Sequence, residues 1–415
     1  LLFKHPQVKA TMSNGSKVKV DGDQQASGSI KVDNADVYIG GTQKSDTGNI
    51  VIRDNANESV FGDQTAEAGS IIVAKDSTLT VGAKDEDGNV ISQGDQWAAK
   101  HIKIVAGSAV EVIGDQTARD EDIIVKGSTL TVGAIQENAP LVPGWPSTYE
   151  LIGGNQTAGG NIVLVNDENV DVLGDQDAGA SIIVKKTTLT VGSKADDGKV
   201  VHAGDQTADG NIVIVKDSDV AILGNEMAGG DIGGKDSTLK VGELEHISIM
   251  PWPAFDWLHG GDQTANGNIF ISNADVDVLR NQQAVTGAIS IQKGSDVTIG
   301  SEDSAGHVLG GDQTAQTDIN IANSTVHVLG DEEAVTGEIV IAKTDLEGAD
   351  TIVNVDGDQT AQTNIIVRDA DVTVLGDQTA TEGYIDISST SGTGITSTVN
   401  VGGDQEAGDY INVTN

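Results

Sequence analysis

Hydrophobic and polar residues alternate along this chain in short bursts, and the bursts come in pairs. Residues 204–224, GDQTADGNIVIVKDSDVAILG, show the pattern most cleanly. A polar box (GDQTA) precedes one alternating run (NIVIV), a bend (KDSD) leads to a second (VAIL), and another box follows. Period-two alternation over four or five residues, bounded by Gly and Asp, predicts strands with one buried face. No long segment carries a 3.6-residue period, so the chain reads as all-β.

Boxes begin at Gly22, Gly41, Gly62, Gly94, Gly114, Gly154, Gly174, Gly204, Gly224, Gly261, Arg280, Gly311, Gly330, Gly357, Gly376 and Gly403, sixteen modules in all. From Gly41 onward, steps of 19 to 21 residues alternate with steps of 27 to 40, which makes a pair of modules, about fifty residues, the apparent unit. The fifth box place is Ala in every copy but one, where Ser45 stands. A place restricted to small side chains is one where backbones approach closely.

Seven boxes read GDQTA without change. In these, Asp63, Asp115, Asp205, Asp262, Asp312, Asp358 and Asp377 are expected to accept backbone N–H groups and fix a turn. Gln64, Gln116, Gln206, Gln263, Gln313, Gln359 and Gln378 are expected to form amide ladders between stacked layers. Asn155 stands in for a box Asp and reads as structural. Most long modules carry their extra residues after the second run, and residues 84–88 and 194–198 look like hairpin turns. In the last two long modules the extra residues fall between the runs, at 344–350 and 388–398.

Three architectures fit. An array of β-arches or a β-solenoid, curved into a hoop with the boxes as turns on one rim, is preferred over an eight-bladed propeller. Propeller blades need large side chains between them, and only 3% of residues are aromatic. Residues 1–16 read as an arm and 17–415 as one continuous array, interrupted by insertions at 134–153 and 243–260. Residues 17–20 look like the second run of a module without a first, and the chain stops after a first run with no second. The two partial modules are therefore a candidate joint between or within chains, through Lys17, Val18 and Val20 on one side and Tyr410, Ile411 and Val413 on the other. Trp145, Trp252 and Trp257, three of the four tryptophans, lie in the two longest insertions and are candidate subunit contacts.

The net charge of −39 argues against nucleic acid and against an anionic membrane surface as partners. No apolar run reaches the length of a membrane span, so no membrane insertion is expected. There is no cysteine. Acidic residues follow the repeat and do not cluster against it. The seven histidines lack metal-ligand spacing, and there is no P-loop and no G-x-S-x-G. The nearest irregular group is His246, Asp256 and His259 beside a tryptophan insertion. The expectation is a protein that is not an enzyme and holds no cofactor, with calcium on the aspartate column as the one ion to test. Asn14, Asn57, Asn155, Asn323 and Asn412 fit N-x-[ST].

The combination GDQTA…NIVIV…DVxVLG, repeated over residues 17–415, resembles the amyloid-like sheath protein of filamentous methanogenic archaea. That resemblance implies β-hoops that stack into a tube around cells, a self-assembling homopolymer without enzyme activity, located outside the cell in a sheath or surface layer. The rival reading is an extracellular adhesin or a glycan-binding solenoid, which needs one regular outward face. The box Thr would supply it, but varies to Trp97, Asp177, Met227 and Glu333.

Overall fold

The computed structural model of the chain describes residues 9–140, 147–166, 169–247, 255–345, 348–390 and 396–414. It forms two compact units, Leu1–Asp209 and Gly210–Asn415. Both are built alike. Every described element is a strand, and each module is one rung of a parallel β-solenoid.

A rung holds three strands. In the rung opened by Gly114 they are Gln116–Ala118, Ile123–Lys126 and Thr129–Val132. Each pairs in parallel with the equivalent strand of the next rung, so that Gln116, Ile123 and Leu130 face Gln156, Ile162 and Val170. The parallel stacking excludes the propeller, whose blades are separate four-stranded sheets. It also corrects the role of the boxes. Gln-x-Ala is a strand, three residues long, and these strands form a third ladder. The boxes are therefore one side of each rung, and only their first two residues turn the chain. Three residues with two polar ones carry too little alternation to register as a strand in the sequence.

The paired unit also has a simple origin. Successive rungs are alike, and alternate ones carry a hairpin between the second strand and the next box. In the first unit these are Ala83–Lys84 with Val90–Ser92, Ala134–Asn138 with Thr148–Ile152, and Ser193–Lys194 with Val200–His202. In the second unit Glu243–Ile247 pairs with Phe255–His259, and Glu302 bridges Val308. The extra residues at 344–350 and 388–398 fall between first and second strands, at Ile339–Ala342/Ile352–Val355 and Ile385–Ser388/Thr398–Val401. The array also begins earlier than Lys17. Ala10–Ser13 is a first strand paired with Ile30–Asp33, and its Met12 is buried. The ATMS sequence lacks the Ile–x–Ile signature, which is why it reads as part of an arm.

The core is thin and made of columns of like residues. The leading place of the first strand is Ile30, Ile50, Ile71, Ile102, Ile123, Ile162 and Ile182 in the first unit, each wholly buried. β-Branched side chains suit this geometry, since each methyl packs on its copy one rung away at about 4.8 Å. Ala at the fifth box place is inward throughout, and Ser45 in its stead bonds the Gly28 carbonyl at 2.8 Å. The bend between first and second strands uses residues with positive φ, such as Asn34, Asp76, Asn166 and Asp236. The serine that follows turns inward onto the carbonyl three residues back, as Ser77 does on Ala74 at 2.8 Å and Ser295 on Gln292 at 2.7 Å.

Glycine opens nearly every box because a side chain there would strike the previous rung. A Cβ on Gly114 would lie 2.0 Å from Asp95 Oδ1. Gly234 is the opposite case. It occupies an inward place between Ile214 and Ile271, and a Cβ there would meet nothing within 4 Å. Gly114→Ala should therefore destabilise by about 1–3 kcal/mol, as overpacking does. Gly234→Ala should stabilise by about 1 kcal/mol. Thermal unfolding of the two variants checks both signs; a Gly114→Ala protein as stable as the parent would refute the packing argument.

Candidate functional site

Beside the Ile and Ala columns, two polar box places also recur in most rungs, and their side chains are used between rungs. In the first unit the Gln column runs Gln24, Gln43, Gln64, Gln96, Gln116, Gln156, Gln176, Gln206. From Gln43 onward each Nε2 donates to Oε1 of the Gln one rung earlier, at 2.7–2.9 Å, and Gln24 Nε2 donates to Met12 Sδ. From Gln43 onward they are completely buried. In the second unit the same bonds join Gln282 to Gln263, Gln313 to Gln282, Gln378 to Gln359 and Gln405 to Gln378.

The box Asp column runs beside it. Asp63 Oδ1 accepts from the backbone N–H of Asp95 at 3.0 Å, Asp95 from Asp115, and Asp115 from Asn155. Asn155 in turn accepts from Asp175, and Asp175 from Asp205. In the second unit Asp262, Asp312, Asp358 and Asp377 accept from Asn281, Asp331, Asp377 and Asp404. The turn is thus fixed by the following rung, and Asn serves as well as Asp because only an acceptor is required. Sequence reasoning missed a second column of the same kind, just before the first strand. There Asn49, Asp122, Asn161, Asn211, Asp231, Asn268 and Asp318 accept the N–H one rung on. Its signal was the recurring Asn or Asp three or four places after the fifth box residue.

Three carboxyls interrupt this pattern, all completely buried. Glu226 and Glu332 take the Gln place of their boxes, and Glu58 takes an inward apolar place on Asn57–Val60. Gln263 donates to Glu226 and Gln359 to Glu332, each at 2.6 Å. Gln43 donates to Glu58 at 2.5 Å. Burial raises all three, to about 8 for Glu58 and about 7 for Glu226 and Glu332. The geometry asks for the protonated acid. Glu332 is the register partner of Gln313, and both Gln313 Oε1 and Glu332 Oε1 lack a hydrogen-bond donor. A proton on Glu332 supplies it and completes the ladder.

The other expected site residues are dispersed. Lys17, Val18 and Val20 lie on Lys17–Val20, paired with Asp36–Ile39. Ile411 and Val413 lie on Ile411–Thr414, paired with Ile385–Ser388, and are exposed; Tyr410 stacks on Tyr384 with ring centroids 5.0 Å apart. Trp257 is exposed on the strand Phe255–His259. Trp145 and Trp252 lie outside the described residues. His246 and Asp256 pair with each other at 2.6 Å, and His259 pairs with Glu245 at 2.8 Å, across the strands of that hairpin. Asp256 also accepts from the backbone of Ser304 in the next hairpin. In the first unit His202 ties its hairpin to the box column through Asp175 at 3.0 Å, which raises the imidazole and lowers the carboxyl. Among the described residues no group of three or more His, Asp or Glu is placed to hold a metal ion. The box Asp acceptors named above each take the N–H of the next rung through Oδ1.

No protein-family model matches the chain, and comparison with curated proteins and with solved structures found no match.

The three buried carboxyls make a pH prediction. A Glu raised in the folded state is neutral there while its unfolded counterpart ionises above about 4.5. Its contribution is complete below that value and is lost as pH rises through about 7. For Glu332 the loss is of the order of 3 kcal/mol. Glu332→Gln restores a donor without a charge. The stability difference between Glu332→Gln and the parent should be small at pH 4.5 and grow in favour of the variant by pH 8. Equal melting temperatures at both pH values would contradict a buried titrating acid.

Proposed function

We propose that this chain is a structural subunit that assembles with copies of itself, by continuing the strand ladders from one copy to the next. The observation that supports this best is the interchangeability of the rungs. Within each unit the rungs meet in the same register, and most of them through the same two or three side-chain bonds. A rung of a second copy brings the same groups to the same places, so stacking needs no dedicated docking site. The recurring polar side chains of the box are spent on rung-to-rung bonds.

The place of action follows from the resemblance to archaeal sheath proteins: outside the cell, in a sheath or surface layer. A hoop or tube is the assembly that resemblance implies. The adhesin reading finds some support on the second strands, where Thr78 and Thr80, Thr129 and Thr131, and Thr188 and Thr190 point outward in alternate rungs. Ala109 with Glu111 and Asn169 with Asp171 interrupt them, which breaks the regular lattice such a face requires. The assembly reading is therefore preferred.

Electron microscopy and fibre diffraction of the purified chain, with and without calcium, test it. Filaments, hoops or tubes with a meridional spacing near 4.8 Å are the expected result. A monomer at every concentration and salt condition would defeat the reading.

A further inference from the structure

Charge is distributed unevenly over the outward faces. The chain carries 24 Lys and Arg against 63 Asp and Glu. On the outward places of the first strands of the first unit this balance is reversed. From Ile30–Asp33 to Ile182–Lys185 those places hold Lys31, Arg53, Lys103, Lys126 and Lys185, and Asp33 as the one carboxylate. Asp33 is already paired with Lys31 at 2.6 Å and Arg53 at 3.2 Å. Lys103, Lys126 and Lys185 form no ion pair among the described residues. The remaining outward places are apolar: Val51, Ile72, Ala74, Val105, Ile124, Val163, Val165 and Ile183, all half-exposed. This is a flat, apolar and cationic strip on a strongly anionic molecule.

A complementary strip exists on the second strands of the second unit. Asp219, Asp275, Asp277 and Asp296 are exposed and point outward there. Asp275 and Asp296 are register partners, and burial and then Asp275 act to raise Asp277. The nearest outward cation of that strip is Lys240, which is bound to Glu243 at 2.9 Å. Lys103, Lys126 and Lys185 span four successive rungs of one unit, and Asp219, Asp275 and Asp296 span four successive rungs of the other. Both sets are therefore about 14 Å long.

We propose that the cationic, apolar strip of the first unit packs against the acidic second-strand strip of the second unit of a neighbouring copy. The inference rests on the self-assembly proposed above and supplies its lateral contact. A hydrated polyanion would satisfy the lysines alone, whereas the acidic strip also presents Ala221 and the Thr298 methyl group to the apolar places, so a protein face is favoured. The contact joins two different surfaces. Such a contact is head-to-tail, and each copy has one strip left to offer to a further copy. The repeat sets the match in length, because both strips are spaced by the same rung.

Two charge-reversed full-length chains test this: Lys103→Glu/Lys126→Glu/Lys185→Glu and Asp219→Lys/Asp275→Lys/Asp296→Lys. All six side chains point outward, so unchanged circular dichroism and melting temperature certify folding. Assembly is followed by sedimentation and electron microscopy between about 20 mM and about 500 mM salt. Lateral association of the parent at low salt is expected to weaken about tenfold or more in either variant alone. It is expected to return when the two variants are mixed. If the parent assembles and both variants assemble equally well, this contact is wrong while self-assembly stands. If the parent does not assemble at all, both proposals fall. If the lysine variant assembles normally but loses binding to dextran sulfate, the strip is a polyanion site and the proposal is overturned.

Discussion

Within each unit, everything depends on one constraint: a polar group turned into a stack of identical rungs can find a partner only in the rung above or below. Burying an amide without a partner is costly. The Gln column meets the constraint with a side chain that carries both donor and acceptor, so one residue type repeats indefinitely. The box Asp and the Asn or Asp before the first strand meet it with acceptors aimed at backbone N–H groups. Glycine opens the box because that carboxylate occupies the space a Cβ would take. Ile leads the first strand because a stacked column favours side chains that pack on copies of themselves. Box, glycine and Ile column follow from a single parallel register.

Much of this was legible in the sequence, and what was not has physical reasons. The alternation in NIVIV and VAIL, the recurrence of GDQTA and the hairpin turns at 84–88 and 194–198 are local signals. The expected acceptor role of Asp and ladder role of Gln followed from their chemistry. The third strand of the rung did not show, because Gln-Thr-Ala is too short and too polar to look like one; its strand character comes from stacking alone. Ala10–Ser13 was hidden for the converse reason, since Met12 fills the inward place where most later rungs use Val or Ile. Nothing in composition separates Glu58, Glu226 and Glu332 from the other acids of the chain. Only the strand period at Glu58, and the Gln place in the box for the other two, mark them as inward.

The exterior obeys a looser rule. Outward places carry no stacking requirement, so they are free to vary, and variation appears there: Trp97 under Arg119, Met227, Phe270 and the alternating Thr pairs. Insertions sit at corners, where a hairpin leaves the ladders unbroken. A fold this uniform inside places all of its individuality on surface strips and hairpins, and that is where charge separates into acidic and basic strips.

The Gln column has a further consequence. Every amide in it donates in the same sense along the stack, from each rung to the one before, and the box Asp column accepts in the same sense. The rung edge facing forward and the edge facing backward are therefore chemically different, one offering acceptors and the other donors. A fibre that continues these columns must be polar, with all copies pointing one way. Two copies meeting front to front would oppose acceptor to acceptor, so growth at the two tips of such a fibre would differ in rate.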